Sequence, residues 1–83
     1  MKTYLFVTDI GAPASQLASE ASERGINVQL MVGDDSRSVE LRQMYDVTTR
    51  PAVLVTMDDG SYVRLWQGHL PRLDELNYVV QGR

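Results

Sequence analysis

None of the 83 residues is cysteine. That excludes disulfides and any zinc–thiolate site, two devices that small domains use when the core alone is marginal. It does not place the chain in one redox compartment. Basic residues are also few: 8 Lys and Arg against 11 Asp and Glu give a net charge of −3, and the sequence pI is about 4.9. Binding phosphate needs clustered cations, and these are scattered, so nucleic acid is not an expected partner. Long apolar runs are missing too, the longest being three to four residues, too few to span a bilayer. Met1-Lys2-Thr3-Tyr4 leads straight into a strand pattern rather than into the apolar region of a signal peptide. No membrane partner is expected, and the default location is cytoplasmic or within an assembled particle.

What is present suffices for one domain held by apolar packing. Roughly 150 residues is a usual domain length, so the chain has room for a single core. Its 43% hydrophobic and 23% charged residues fit a folded protein rather than a disordered one.

The chain divides by its periodicity. Tyr4-Leu5-Phe6-Val7 is a short β-prone run closed by Asp9, Gly11 and Pro13. Ala14, Leu17, Ala18 and Ala21 then recur at helical spacing, with Pro13 suited to the first turn and Gly25 to the residue after the last, which predicts a helix over about 13–24. Ile26 to Val32 reads as a second strand. A strand, a helix and a strand in this length make a βαβ unit with parallel strands.

Gly33-Asp34-Asp35-Ser36 can cap a helix over about 36–46, in which Leu41, Met44 and Tyr45 are expected to form the buried stripe. Pro51 stops any helix and makes the preceding residue extended. Ala52-Val53-Leu54-Val55 reads as a central strand covered on both faces, Asp58-Asp59-Gly60 as a hairpin turn, and Tyr62 to Trp66 as the returning strand. Pro71 is expected to open a last helix with Leu73, Leu76 and Val80 on one face and Val79 beside them. The order is β-α-β-α-β-β-α, with no linker, repeat or low-complexity segment.

This order, with a lone proline just before the third strand, resembles the thioredoxin fold in its short glutaredoxin-like form: an α/β domain with a four-stranded mixed sheet flanked by three helices. Three stretches carry the resemblance. Tyr45 to Val55 is similar to the family segment around its cis-proline, which implies that Pro51 shapes a cleft and that Arg50 offers its backbone to an extended peptide. Trp66-Gln67-Gly68-His69-Leu70-Pro71 is similar to the Trp-x-Gly-x-x-Pro segment of the NrdH-type redoxins, electron donors to ribonucleotide reductase that thioredoxin reductase recharges. Phe6 to Ser15 falls where the family has its strand, loop, Cys-x-x-Cys and helix.

The departure from the family is at that motif, where Ala12 and Ser15 stand in place of the two cysteines, with Pro13 at the second motif position. Dithiol exchange needs a thiolate at a helix N-terminus and a second sulfur to resolve the mixed disulfide. Alanine offers no nucleophile, and a serine hydroxyl forms no disulfide. The resemblance therefore implies no catalytic residue, no iron–sulfur ligation and no cofactor. Gly68-His69 stands where glutaredoxins usually place a Gly-Gly pair, so glutathione is not an expected ligand either.

The retained cleft comprises Ala12, Pro13, Ser15, Arg50, Pro51, Trp66, Gly68 and His69, and the implied partner is a protein or an extended peptide. Trp66 reads equally as a packed residue at the end of the hairpin. His69 and Ser15 read as ordinary helix-start residues, and Asp58-Asp59 as a turn rather than a metal site. Arg64, Arg72 and Arg83 are too dispersed to define a site. Gly11 to Ser15 could hold an anion on free N–H groups, without a Lys or Arg in the loop to assist.

Three functions fit: a redox-inactive binding or structural module, which could be part of an assembly such as a virion; a dithiol redoxin whose cysteines have been substituted; and a regulator that uses the fold's outer surface. The first is the expectation.

Overall fold

A continuous apolar run at the start of the chain, Tyr4 to Val7, builds the centre of the sheet. In the computed structural model, which describes residues 1–9 and 11–82, β1 (Lys2–Val7) is buried at every position after Lys2. Ile10, in the third stretch of resemblance, and Arg83, among the dispersed arginines, lie outside the described residues. The other elements are α1 (Ala12–Glu23), β2 (Val28–Val32), α2 (Ser36–Met44), β3 (Ala52–Thr56), β4 (Tyr62–Gln67) and α3 (Leu73–Gln81). The strands form one mixed sheet in the order β2-β1-β3-β4, with β1 and β2 parallel and the other pairs antiparallel. This is an α/β architecture with the layout of the thioredoxin-like fold.

Because strand side chains alternate, the sheet presents two different faces. Leu5, Val7, Val53, Val55 and Trp66 face α1 and α3, meeting Ala14, Leu17, Ala21 and Leu76. Tyr4, Phe6, Met31, Ala52 and Leu54 form the other face, joined by Val47 and by the half-buried Leu41, Tyr45 and Leu65. Tyr4 and Phe6 stack there with ring centroids 6.3 Å apart.

Three expectations need correction. In α2 the stripe of Leu41, Met44 and Tyr45 is not buried as a unit. Met44 is 63% exposed, Leu41 and Tyr45 are half-buried, and the buried residue of the helix is Ser38. The helix stops at Met44 with Tyr45 as its C-cap, so the expected spacing runs off the helix end. Its N-terminus is tied to the turn after β2: Asp35 Oδ1 accepts from the Ser38 N–H at 2.8 Å as the N-cap, and the Ser38 hydroxyl donates to Gly33 O at 3.3 Å.

β2 begins at Val28 rather than Ile26. Ile26 N–H instead donates to Ala21 O at 2.9 Å, closing the end of α1 while its side chain enters the core. Pro71 does not open α3. Arg72, in extended conformation, is the N-cap, its N–H donating to Glu75 Oε1 at 3.3 Å, and Pro71 precedes it as a buried residue.

The hairpin turn forms at Asp58-Asp59-Gly60, where Gly60 has φ +94° and Met57 N–H bonds Ser61 O at 2.8 Å. The Asp59 carboxylate accepts from Ser61 N–H at 2.9 Å. Bonds from the Ser61 backbone and hydroxyl hold that carboxyl below its usual range.

Candidate functional site

The cleft forms where four segments converge: the loop that leaves β1, the start of α1, the turn that enters β3 and the segment after β4. It has a volume of about 190 Å³. Val7, Thr8 and Asp9 line it from β1 and its loop, Gly11, Pro13 and Ala14 from the helix start, Arg50 and Pro51 from the turn, and Leu70 from the segment after β4. The Arg50–Pro51 peptide bond is cis.

Each wall has a local cause. Gly11 is the N-cap of α1, with φ −100° and ψ 166° and no side-chain cap, and Pro13 occupies the first turn, where its missing N–H costs nothing. The first intrahelical bond runs from Ser15 N–H to Gly11 O at 3.1 Å. On the opposite wall, the turn before Pro51 is held by the Gln67 side chain, whose Oε1 accepts from the N–H groups of Thr48 at 3.0 Å and Thr49 at 3.3 Å. Gly68 N–H donates to Pro51 O at 2.9 Å, which ties the end of β4 to the same turn. Gly68 has φ +84°, a conformation that disfavours any side chain there.

Arg50 is drawn sideways by a second cluster. Its guanidinium donates to Gly33 O and to Asp34 Oδ1, both at 3.3 Å, and the same Asp34 oxygen accepts from Arg42 at 2.6 Å. Asp34 therefore bridges α2 and the cleft wall. Asp9 and Arg50 give the cleft one carboxylate and one guanidinium among otherwise small and apolar walls.

The expected site residues divide accordingly. Pro13, Arg50 and Pro51 line the cleft together. Ala12 and Ser15 are exposed on the first turn of α1 beside it, and Gly68 lies behind the Pro51 turn. His69 is exposed on the same segment as Leu70. Trp66 is 5% exposed and belongs to the core under α1 and α3, and it borders a separate groove between β4 and α3. Its indole N–H has no acceptor among the described residues, and Arg64 lies over the ring at 5.0 Å. Ala14, inside the Ala12–Ser15 stretch expected at the cleft, also lines it, whereas Val7, Thr8, Asp9, Gly11 and Leu70 are walls not expected from the sequence. Leu70 did fall inside the Trp66–Pro71 stretch, whereas nothing in the sequence ties Gln67 to Thr48 and Thr49.

The cleft holds no thiol, because the chain has none, so thiol–disulfide exchange is not available to this chain. Among the described residues no three His, Asp or Glu side chains gather into a metal site, and no helix is long and apolar enough to cross a membrane. The chain is thus an α/β domain with the thioredoxin-like layout and no thiol. No family model, curated protein or solved structure compared with the chain matches it.

Proposed function

We propose that this chain is a redox-inactive glutaredoxin-like module that docks an extended segment of a partner protein in the cleft between the start of α1 and the Arg50–Pro51 turn. It acts by binding alone, either singly or as a subunit of a larger assembly such as a virion. The observation that carries this reading is the pairing of a formed cleft, about 190 Å³ and walled by Pro13, Arg50, Pro51 and Leu70, with the complete absence of thiol. The mixed walls suit a peptide: Leu70, Pro13 and Pro51 offer apolar contact, while Arg50 and Asp9 address polar main-chain or side-chain groups.

Panning a displayed peptide library against the chain tests this reading, with Gly11→Trp as the blocked control. Gly11 has an ordinary extended backbone, and a Cβ added there meets only Pro13 Cδ at 3.8 Å, so the bulky side chain enters the cleft without backbone strain. Selected peptides are expected to bind the parent chain and to lose at least tenfold in affinity, about 1.4 kcal/mol, for Gly11→Trp. Peptides that bind both equally place the function elsewhere.

A second reading rests on the positions of Ala12 and Ser15, which stand exposed at the first helical turn of α1, where a helix N-terminus lowers a thiol pKa. On that reading the chain is the cysteine-substituted form of an NrdH-type redoxin. The double change Ala12→Cys with Ser15→Cys is then expected to reduce insulin when supplied with thioredoxin reductase. A folded but inactive double variant removes this reading.

A further inference from the structure

The outer edge of the sheet, away from the cleft, combines an open strand with an exposed groove that is both charged and aromatic. β4 is a terminal strand, so one row of its backbone groups lacks a ladder partner. The bond from Gly68 N–H to Pro51 O, with the register Val53↔Trp66 and Val55↔Arg64, phases the ladder so that Leu65 and Gln67 turn their N–H and C=O groups outward. Edge strands are commonly guarded by charges or bulges. Here the one formal charge along Tyr62–Gln67 is Arg64, and the irregularity opposite Val55 and Thr56 lies at the start of the strand, leaving Arg64–Gln67 regular.

Arg64 and Trp66 lie opposite Val55 and Val53, so both share the face toward α3. Between them and α3 runs an open groove of about 430 Å³, completed by Asp74, Glu75, Tyr78 and Val79. Tyr78 is 69% exposed there. The groove therefore carries both signs of charge beside two aromatic rings and an open strand. Arg72 Nε already pairs with Asp74 at 3.4 Å and Glu75 at 3.5 Å, but these pairs are exposed and screened by solvent, so the face still presents both signs and is complementary to itself, as an isologous two-fold contact requires.

We propose that β4 is the interface of a homodimer, in which the β4 strands of two copies pair antiparallel into one continuous sheet. With Leu65 opposite Leu65 of the second copy, Arg64 stands opposite Trp66 of the second copy on the same face. It thereby enters the groove that the second copy's Asp74 and Glu75 line, and the two-fold repeats this contact on the other side. No cleft-lining residue belongs to β4, so each copy keeps its cleft open.

A charge-swap experiment, read by sedimentation velocity, tests the interface. The parent chain is expected to pass from the 9.3 kDa monomer to twice that mass as its concentration rises. Arg64→Glu alone sets a carboxylate against Asp74 of the other copy, and Asp74→Arg alone sets a guanidinium against Arg64. Each is expected to stay monomeric at a concentration where the parent is mostly dimeric, and an equimolar mixture of the two to restore the dimer. Asp74→Arg removes the exposed contacts of Asp74 with the Glu75 N–H and with Arg72, and leaves the Glu75 bond to the Arg72 N–H in place.

Hydrogen exchange of the unmodified chain needs no variant, and amide protection at Leu65 and Gln67 is expected to rise with concentration. A parent chain monomeric at millimolar concentration overturns the proposal. So does a dimer indifferent to both changes, a mixture of folded variants that stays monomeric, or protection at those amides that ignores concentration.

Discussion

The two faces of the sheet are built by different means. Under α1 and α3 the joint is apolar: Leu17 and Ala21 from one helix and Leu76 from the other close on Leu5, Val53 and Val55, and Leu76 is fully buried. On the opposite face α2 buries only Ser38, and it is fixed largely by polar bonds: the Asp35 cap, the Ser38 hydroxyl on Gly33 O, and Arg42 on Asp34. The Tyr45 hydroxyl donates to Gly60 O and ties the end of the same helix to the β3–β4 turn. Both faces of the sheet bury apolar side chains, but the helices meet them differently: α1 and α3 through apolar residues, α2 through the half-buried Leu41 and the polar bonds at its start. The cleft borrows from both, since its Pro13 wall stands on α1, while its Arg50 wall leans on the turn before α2 through Asp34.

Substitutions on the two faces should separate accordingly. Leu76→Ala leaves a void in the apolar joint and is expected to cost about 3 kcal/mol. In a domain of this size that lowers the thermal midpoint by more than about 10 °C, which calorimetry reads directly. A loss below about 1 kcal/mol would break the comparison.

Asp35→Ala removes the N-cap of α2 and is expected to cost about 1 kcal/mol in denaturant unfolding. Asp34→Ala removes the shared acceptor of Arg42 and Arg50. With Asp34 largely exposed, the expected cost is only about 0.5 kcal/mol. Its larger consequence is for the cleft, because Arg50 loses its side support. Peptide affinity is expected to change by more than stability does, and equal small effects on both would show that the Asp34 bridge is incidental. Met44→Gln, at a 63% exposed position, is expected to change stability by less than about 0.5 kcal/mol.

The sequence reveals these two faces unequally. Unbroken apolar runs at Tyr4–Val7 and Ala52–Val55, buried on both faces, and helical spacing at Ala14, Leu17 and Ala21 make β1, β3 and α1 readable, because burial marks the residues it hides. α2 escapes the same reasoning, since a helix held by a cap, a buried hydroxyl and arginine pairs leaves no apolar period. Leu41, Met44 and Tyr45 mimic one across a helix end.

Of the site, Pro13, Arg50 and Pro51 were legible through the resemblance and do line one cleft. The remaining walls are Val7, Thr8, Asp9, Gly11, Ala14 and Leu70, and the roles of Thr8, Asp9 and Leu70 depend on separate loops meeting in space. The grip of Gln67 on Thr48 and Thr49 spans segments distant in sequence and carries no motif. Trp66, read as either a packed or a contacting residue, lies in the core on one side and borders the β4 groove on the other.

The account turns on the cleft as a thiol-free docking site. Titrating the isotope-labelled chain with a peptide selected by panning, and following its backbone amides by NMR, tests that most directly. The account predicts that the largest shifts fall on Thr8, Gly11, Ala14, Arg50 and Leu70. Shifts confined to Leu65, Gln67 and Tyr78, with those five amides unmoved, would contradict it.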